Sequence, residues 1–298
     1  MNETTLLITG IHGLVGQYIF KILESWDGKV VITGKGPCRL PAHDFVYANM
    51  DITEKAQVMA VFNEFKPTVV IHSAAQAQPD YCELNREDAL RTNVTGTENL
   101  LHAASLSKAF FIYLSTDFVF SGNDGPYDEH SIPSPVNFYG HTKMMAEEKL
   151  KAYPFPWAIV RTALVYGNVI SGTRSNMVSW VKGELENNRP IKVVSDQLRT
   201  TTYAADLAKA LLLIASRKMT GIWHISGKDA LSPWEIANAV ADHLQLDKAL
   251  ITKVDAAVFS QPATRPLRTP LIITKAIHEL GYQPLSFEEG MKKLLQGD

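Results

Sequence analysis

Cysteine is nearly absent from this chain: Cys38 and Cys82 are the only two in 298 residues. They stand far apart with no Cys-x-x-Cys spacing. That argues against a disulfide framework and a thiolate metal site, and it fits a reducing compartment. An excess of one charge is also lacking. Lys and Arg number 29 against 31 Asp and Glu, a formal net charge of -2, so nothing draws the chain to nucleic acid or to an acidic membrane surface. No apolar run approaches the ~20 residues that span a bilayer. The opening stretch "MNETTLLITG" has no basic segment ahead of a long apolar one, so no signal peptide is expected. Repeats, low-complexity tracts and flexible linkers are missing too. No histidine pair stands at metal-ligand spacing with carboxylates, so no metal is expected. These absences lead to the expectation of a soluble cytoplasmic protein. Its 46% hydrophobic content supports a sizeable core, in one large α/β domain or two smaller ones.

What is present has a clear rhythm. "TLLITG", "KVVITG", "TVVIHSAA", "AFFIYLST" and "WAIVRTALVYG" read as strands buried on both faces. Helical patterns at 17–25, 55–65, 89–104 and 140–151 lie between them. Strand and helix in alternation predict a Rossmann-type doubly wound parallel sheet. The dinucleotide-binding domain is expected over 1–166, with returning segments at about 190–226. A smaller C-terminal region, 167–298, is expected to be mainly substrate-binding. There "MVSWVKGELENN" predicts a helix, "GIWHISG" a strand, and "SPWEIANAVADHL" a helix with Ser232 as N-cap and Pro233 in its first turn. The tail "RPLRTPLIITKAIHELGYQP" reads as turns, then helix.

Gly10, Gly13 and Gly16, in "LLITGIHGLVGQYIF", stand between a strand and a helix. Gly10 allows the tight turn, Gly13 lets the backbone approach a pyrophosphate, and Gly16 lets helix and strand pack closely. The free N–H groups of the helix start, at Leu14 and Val15, favour an anion, and His12 stands beside them. A dinucleotide is the expected cofactor. The end of the second strand chooses which one. An NAD site usually carries an acidic residue there; "VVITGKGPCRL" has none, and instead offers Thr33, Lys35 and Arg39. The two basic residues suit a 2′-phosphate, so NADP(H) is preferred, with NAD(H) as the alternative. Asp51 and Ile52 are expected to flank the adenine, although Asp51 also reads as a helix N-cap.

Tyr139 and Lys143 are four residues apart, one face of a helix. A free tyrosine, with a pKa of roughly 10, is a poor proton donor at neutral pH. A nearby ammonium favours the phenolate and corrects this. Thr116, at the end of the preceding strand, offers a second hydrogen bond to the same carbonyl oxygen. His72 and His224, on strands, read as core residues.

The pieces "TGIHGLVG", "HSAA", "NVTGTENLL", "YLSTDFVFSG", "YGHTK" and "RTALVYG" stand in an order that resembles an extended short-chain dehydrogenase/reductase. "STDFVFSG", "QLRTTTYAADLA", "GIWHISG" and "RPLRTPL" narrow the resemblance to the dTDP-4-dehydrorhamnose reductase family, over essentially the full length. The resemblance implies an NADPH-dependent reductase of a nucleotide-linked 4-keto-6-deoxy sugar. It makes Thr116, Tyr139 and Lys143 the catalytic trio, with Lys143 also bonding the nicotinamide ribose. Ser73, Ala74, Ala75 and Ser115 would pass beside the cofactor, and Asn93 would order the backbone of the site. Asp117, Phe118, Val119, Gln197, Arg199, Thr201, Arg265 and Thr269 would face the substrate. Similar chains often form a homodimer through the tyrosine-bearing helix. Two other readings fit the same resemblance: a nucleotide-sugar epimerase or dehydratase, and a non-catalytic NADP-binding regulatory subunit.

Overall fold

The computed structural model describes residues 4–42, 44–171 and 176–297. The first three residues of the opening stretch, read above for a leader, lie outside them. The strands are β1 (Thr5–Thr9), β2 (Lys29–Gly34), β3 (Val46–Asn49), β4 (Val69–His72), β5 (Phe110–Thr116), β6 (Trp157–Thr162), β7 (Val165–Tyr166), β8 (Ile191–Val194), β9 (Arg199–Thr200), β10 (Thr202–Tyr203), β11 (Gly221–His224), β12 (Ala230–Leu231) and β13 (Ile251–Val254). The helices are α1 (Leu14–Ile22), α2 (Lys55–Phe65), α3 (Pro79–Leu84), α4 (Arg86–Leu90), α5 (Gly96–Ser107), α6 (Phe138–Lys151), α7 (Met177–Glu186), α8 (Ala204–Arg217), α9 (Pro233–Leu244) and α10 (Phe287–Gln296). Seven strands form one sheet in the order β11-β6-β5-β4-β1-β2-β3, and all its pairings are parallel. The order reverses between β1 and β4, and ligands bind at that switch point in open α/β sheets.

Side-chain alternation divides the core into two layers. Leu6 and Ile8, Val30 and Ile32, Val69 and Ile71, and Phe110 and Ile112 face one cluster, with α1 and α8. Leu7, Val31, Val70 and Phe111 face the other, with α2, α5 and α6. Both faces are therefore covered, which is why these strands read as continuous apolar runs. The C-terminal elements use short ladders instead: β8 with β13, β9 with β12, and β7 with β10.

Three expectations about the elements need correction. "WAIVRTALVYG" is two strands, not one. Leu164 takes a positive φ of 36°, and beyond it β7 leaves the main sheet to pair with β10. The helix expected at 89–104 is broken by a π turn over Arg91–Thr95, of the kind that often marks functional sites. Asp51 is not the N-cap of α2, which is Glu54; its Oδ1 instead accepts from the backbone N–H of Thr53, in a turn ahead of the helix. The helix α10 had no counterpart in the sequence reading, although Ser286 and Glu289 form a full capping box at its start. Ser232 and Glu235 do the same for α9, as the serine-proline start implies.

Candidate active site

The glycine turn is built by close approach. Gly10 has φ +74°, and a Cβ there would lie 2.6 Å from the backbone N of Ala74. A side chain is thus forbidden both by conformation and by the loop after β4. At Gly16 a Cβ would come 2.4 Å from the carbonyl O of Gly10, so helix and turn touch directly. Gly13 differs: a Cβ there would meet only Gly10 O, at 3.3 Å. Gly13 is also the N-cap of α1, with no side-chain cap and no acidic residue in the first turn. The helix start at Leu14 and Val15 is therefore open toward an anion, a cradle that suits a pyrophosphate. Gln17, which the sequence reading passed over, fixes the turn from below. It is fully buried, donates to the carbonyls of His12 and Ser171, and accepts from the N–H of Ser171.

At the β2 end no carboxylate follows the strand itself, but Asp51 arrives from beside it. Lys35 pairs with Asp51 at 2.8 Å, and its own side chain is 79% exposed. Burial opposes ionisation of Asp51, yet hydrogen bonds from Lys35 and Thr53 outweigh it and hold the carboxyl below its usual range. His12 stacks on Tyr47 and accepts from the N–H of Arg39. Burial, then the Arg39 charge, lowers its pKa, so it stays neutral. Thr33 turns away: its hydroxyl donates to Ile8 O within the sheet. Ile52 is buried against Gly96.

The loop after β4 passes directly over the glycine turn. Ser73 donates to Thr9 O and Ala74 N–H to Thr9 Oγ1; Ala75 follows. His72 is a satisfied core residue. Its nitrogens meet Thr9 at 2.7 Å and Thr97 at 3.0 Å, and burial drives its pKa down to about 3. Asn93, on the π turn, clamps the backbone of Gln76 from both sides and donates to Thr142 on α6.

Tyr139 and Lys143 lie on the buried face of α6. Asn137 caps that helix through Gly140 N–H. Tyr139 is 9% exposed and its ring lies against Phe118. Lys143 is 2% exposed, donates to Leu114 O at 2.7 Å and sits over the Tyr113 ring. Burial lowers its pKa to about 7 against an opposing pull from Glu147. Thr116, at the end of β5, accepts from Phe118 N–H and donates to Asp117. The side chain of Ser115 points into the protein, donating to Glu147 Oε1 at 2.6 Å.

On the expected substrate side, the polar residues bind one another. Asp117 accepts from Thr269 and lies 3.6 Å from Arg199 Nε; burial raises its pKa against the pull of that arginine. Arg199 also donates to Gln197 and to Pro266 O, with its guanidinium over Phe118. Phe118 thus lies between Tyr139 and this cluster. Thr201 is buried and bonds Asp229 O. Arg265 forms a fork onto Asp80, which holds that carboxyl below its usual range. Val119 belongs to a separate core cluster with Phe120 and Tyr127. Thr33, Val119 and the Ser115 side chain are thus not brought to the open site.

Asp80 and Glu147 were missed by sequence reasoning. Glu147 had a signal: it is four residues past Lys143, on the same helix face.

A parallel sheet with a glycine turn at its switch point, facing a buried Tyr-Lys helix, defines the extended short-chain dehydrogenase/reductase class. Within it, the chain belongs to the RmlD substrate binding domain family, whose pattern matches residues 4–298. It is 32% identical to methionine adenosyltransferase 2 subunit beta of Xenopus laevis, over 97% of this chain and 86% of that one. It is 30% identical to dTDP-4-dehydrorhamnose reductase of Aggregatibacter actinomycetemcomitans, over 97% of each. The crystal structure of dTDP-4-dehydrorhamnose reductase from Bacillus anthracis in complex with NADP superposes with a TM-score of 0.85 at 27% identity, covering 100% of both chains.

Proposed function

We propose that this chain is an NADPH-dependent reductase of a nucleotide-linked 4-keto-6-deoxy sugar, with dTDP-4-dehydrorhamnose the first substrate to try. The observation that carries this is the buried Tyr139–Lys143 face of α6 beside Thr116 at the carboxyl end of β5. The reductase relatives support it. The glycine turn fits a dinucleotide: Gly13 leaves room, and the N–H groups of Leu14 and Val15 would hold the pyrophosphate. Lys35 and Arg39 would hold a 2′-phosphate, and Lys143 the nicotinamide ribose. The cofactor, when bound, supplies the hydride.

The chain's own residues do the rest. Tyr139 gives its phenolic proton to the sugar carbonyl oxygen, and Thr116 donates a hydrogen bond to the same atom. Lys143, as an ammonium, favours the phenolate that Tyr139 becomes. Asn93 keeps the adjoining backbone in place by holding Gln76 and Thr142 together. Gln197, Arg199, Thr201, Arg265 and Thr269 would form the wall on the nucleotide side. Because carboxylates already anchor both arginines, they would orient a diphosphate more than neutralise it.

The test is NADPH oxidation, followed by nicotinamide absorbance, when dTDP-4-dehydrorhamnose is formed in situ with its 3,5-epimerase. Rapid oxidation, much slower with NADH, is the expected result. A second reading, a non-catalytic subunit, is favoured by the likeness to the Xenopus laevis subunit beta. No oxidation of NADPH that nonetheless binds, with a protein partner that co-purifies, would replace the first reading with this one. Stoichiometric NAD released from the purified protein would instead point to an epimerase or dehydratase.

A further inference from the structure

Beneath the proposed reducing site lies a fully buried charge assembly that the mechanism above does not use. Ser115 on β5 and Arg161 on β6 are direct register partners. Glu147 of α6 bridges them. Its Oε1 accepts from Ser115 Oγ at 2.6 Å and Arg161 Nε at 3.0 Å, and its Oε2 accepts from Arg161 Nη2 at 2.6 Å. Glu147 and Arg161 are both 0% exposed. The carboxylate stands one helical turn beyond Lys143, as Lys143 stands one turn beyond Tyr139. Three groups thus share one buried stripe: a proton donor, a cation and an anion.

We propose that Glu147 is a positioning residue: its carboxylate, held by Arg161 and Ser115 one helical turn from Lys143, sets the charge of Lys143 and through it the acidity of Tyr139. The catalytic half of this statement rests on the reading under Proposed function; the charge of Lys143 does not.

The surroundings of Lys143 leave Glu147 this role. From α6 itself, Tyr139 and Glu147 face it. From β5 come the Tyr113 ring and the Leu114 carbonyl. From α3 comes Cys82, whose thiol burial pushes up to about 11, so it is neutral. From β4 comes His72, also neutral at ordinary pH. Arg161 of β6 reaches this cluster through Glu147. Arg161 takes the fork of the Glu147 carboxylate, and Lys143, one turn away on α6, feels only the charge that remains. Arg161 Nη1 finds no hydrogen-bond partner among the described residues, and its guanidinium lies over Phe120. Arginine does not surrender its proton in proteins, whereas a buried lysine does. Any shortfall of negative charge thus falls on Lys143.

A brace that merely ties β5, β6 and α6 together would not move the titration of Lys143. A charge-setting carboxylate would, and in opposite directions for two variants. Glu147→Gln removes the anion, so Lys143 loses its proton at lower pH. Ser115→Ala removes a hydrogen bond that draws the carboxylate's charge away from Lys143, so the ammonium persists to higher pH.

The experiment is an NMR titration of the full-length protein labelled with ¹³C-lysine, with the Lys143 signal assigned by its loss in Lys143→Met. Its midpoint in Glu147→Gln is expected to fall by at least about one pH unit, and in Ser115→Ala to rise by a few tenths. Glu147→Asp, which keeps the charge, should move it less than Glu147→Gln. The basic limb of kcat should follow the same order, as a property of the coupled Tyr139–Lys143 pair, with KM for NADPH little changed. Midpoints agreeing within about 0.2 pH unit in all the proteins, or a shift in the same direction for Glu147→Gln and Ser115→Ala, would overturn the proposal. If Glu147→Gln does not fold, Ser115→Ala and Glu147→Asp decide the matter alone. Absence of any turnover would refute the reductase reading and leave the titration readable.

Discussion

The two ends of the proposed cofactor site carry charge in opposite ways. On α6, Lys143 is 2% exposed and Glu147 0%, and each is held by partners on neighbouring strands. At the β2–β3 edge, the Lys35 side chain is 79% exposed and meets Asp51 across the rim. Exposed pairs of this kind contribute little, because water and salt screen them. A buried cation beside a tyrosine acts in a medium that does not screen it. On the proposed function, the chemistry would be fixed in the interior, while coenzyme preference would sit on a surface that tolerates change.

The strongest test of that contrast is Tyr139→Phe. Turnover should fall by about 10²- to 10⁴-fold while NADPH binding, read by fluorescence, persists. Near-normal turnover would remove the α6 face from the mechanism altogether. Gly10→Ala comes next. The positive φ and the 2.6 Å approach to Ala74 should cost about 2–3 kcal/mol of stability, visible as a lower Tm together with weakened NADPH binding. A Tm equal to that of the parent would mean that the turn and the β4 loop yield easily.

Acid should act on the interior as well. Burial brings the pKa values of His72 and His224 to about 3 in the folded chain, against roughly 6.5 when unfolded. Their contribution is complete above the unfolded value and is lost as pH falls toward the folded one. Each imidazole should remove about 1.4 kcal/mol per pH unit across that window. Thermal unfolding measured from pH 7 to pH 4 should show the loss, with a shallower slope in His72→Gln. The smallest effect belongs to the rim. Lys35→Ala should weaken NADPH binding by a few-fold, leave NADH unchanged, and shrink further with added salt. An equal loss for both coenzymes would place Lys35 away from the 2′-phosphate.

The same contrast explains what was legible before the structure. The strand runs, the glycine turn and the Tyr139–Lys143 spacing are local patterns, and the sheet and α6 display them directly. Leu164 was not legible as a break, because its positive φ serves a pairing between β7 and β10 that joins distant segments. Nor was the π turn at Asn93, whose partners Gln76 and Thr142 come from a loop and a different helix. Arg199 and Arg265 are expected on the substrate side by resemblance, but their carboxylate partners, Asp117 and Asp80, lie far away in the chain and were not legible.

By itself, the sequence determined the alternation of strands and helices in the central sheet, the open helix start at Leu14 and the shared face of Tyr139 and Lys143. Periodicity and glycine conformation act within a few residues and need no partner from elsewhere. Only the tertiary structure decided the lowered pKa of Lys143, the company of the two arginines and the burial of Glu147. Burial and ion pairing depend on which distant segments the fold brings within a few ångströms, and low dielectric makes those few contacts decisive.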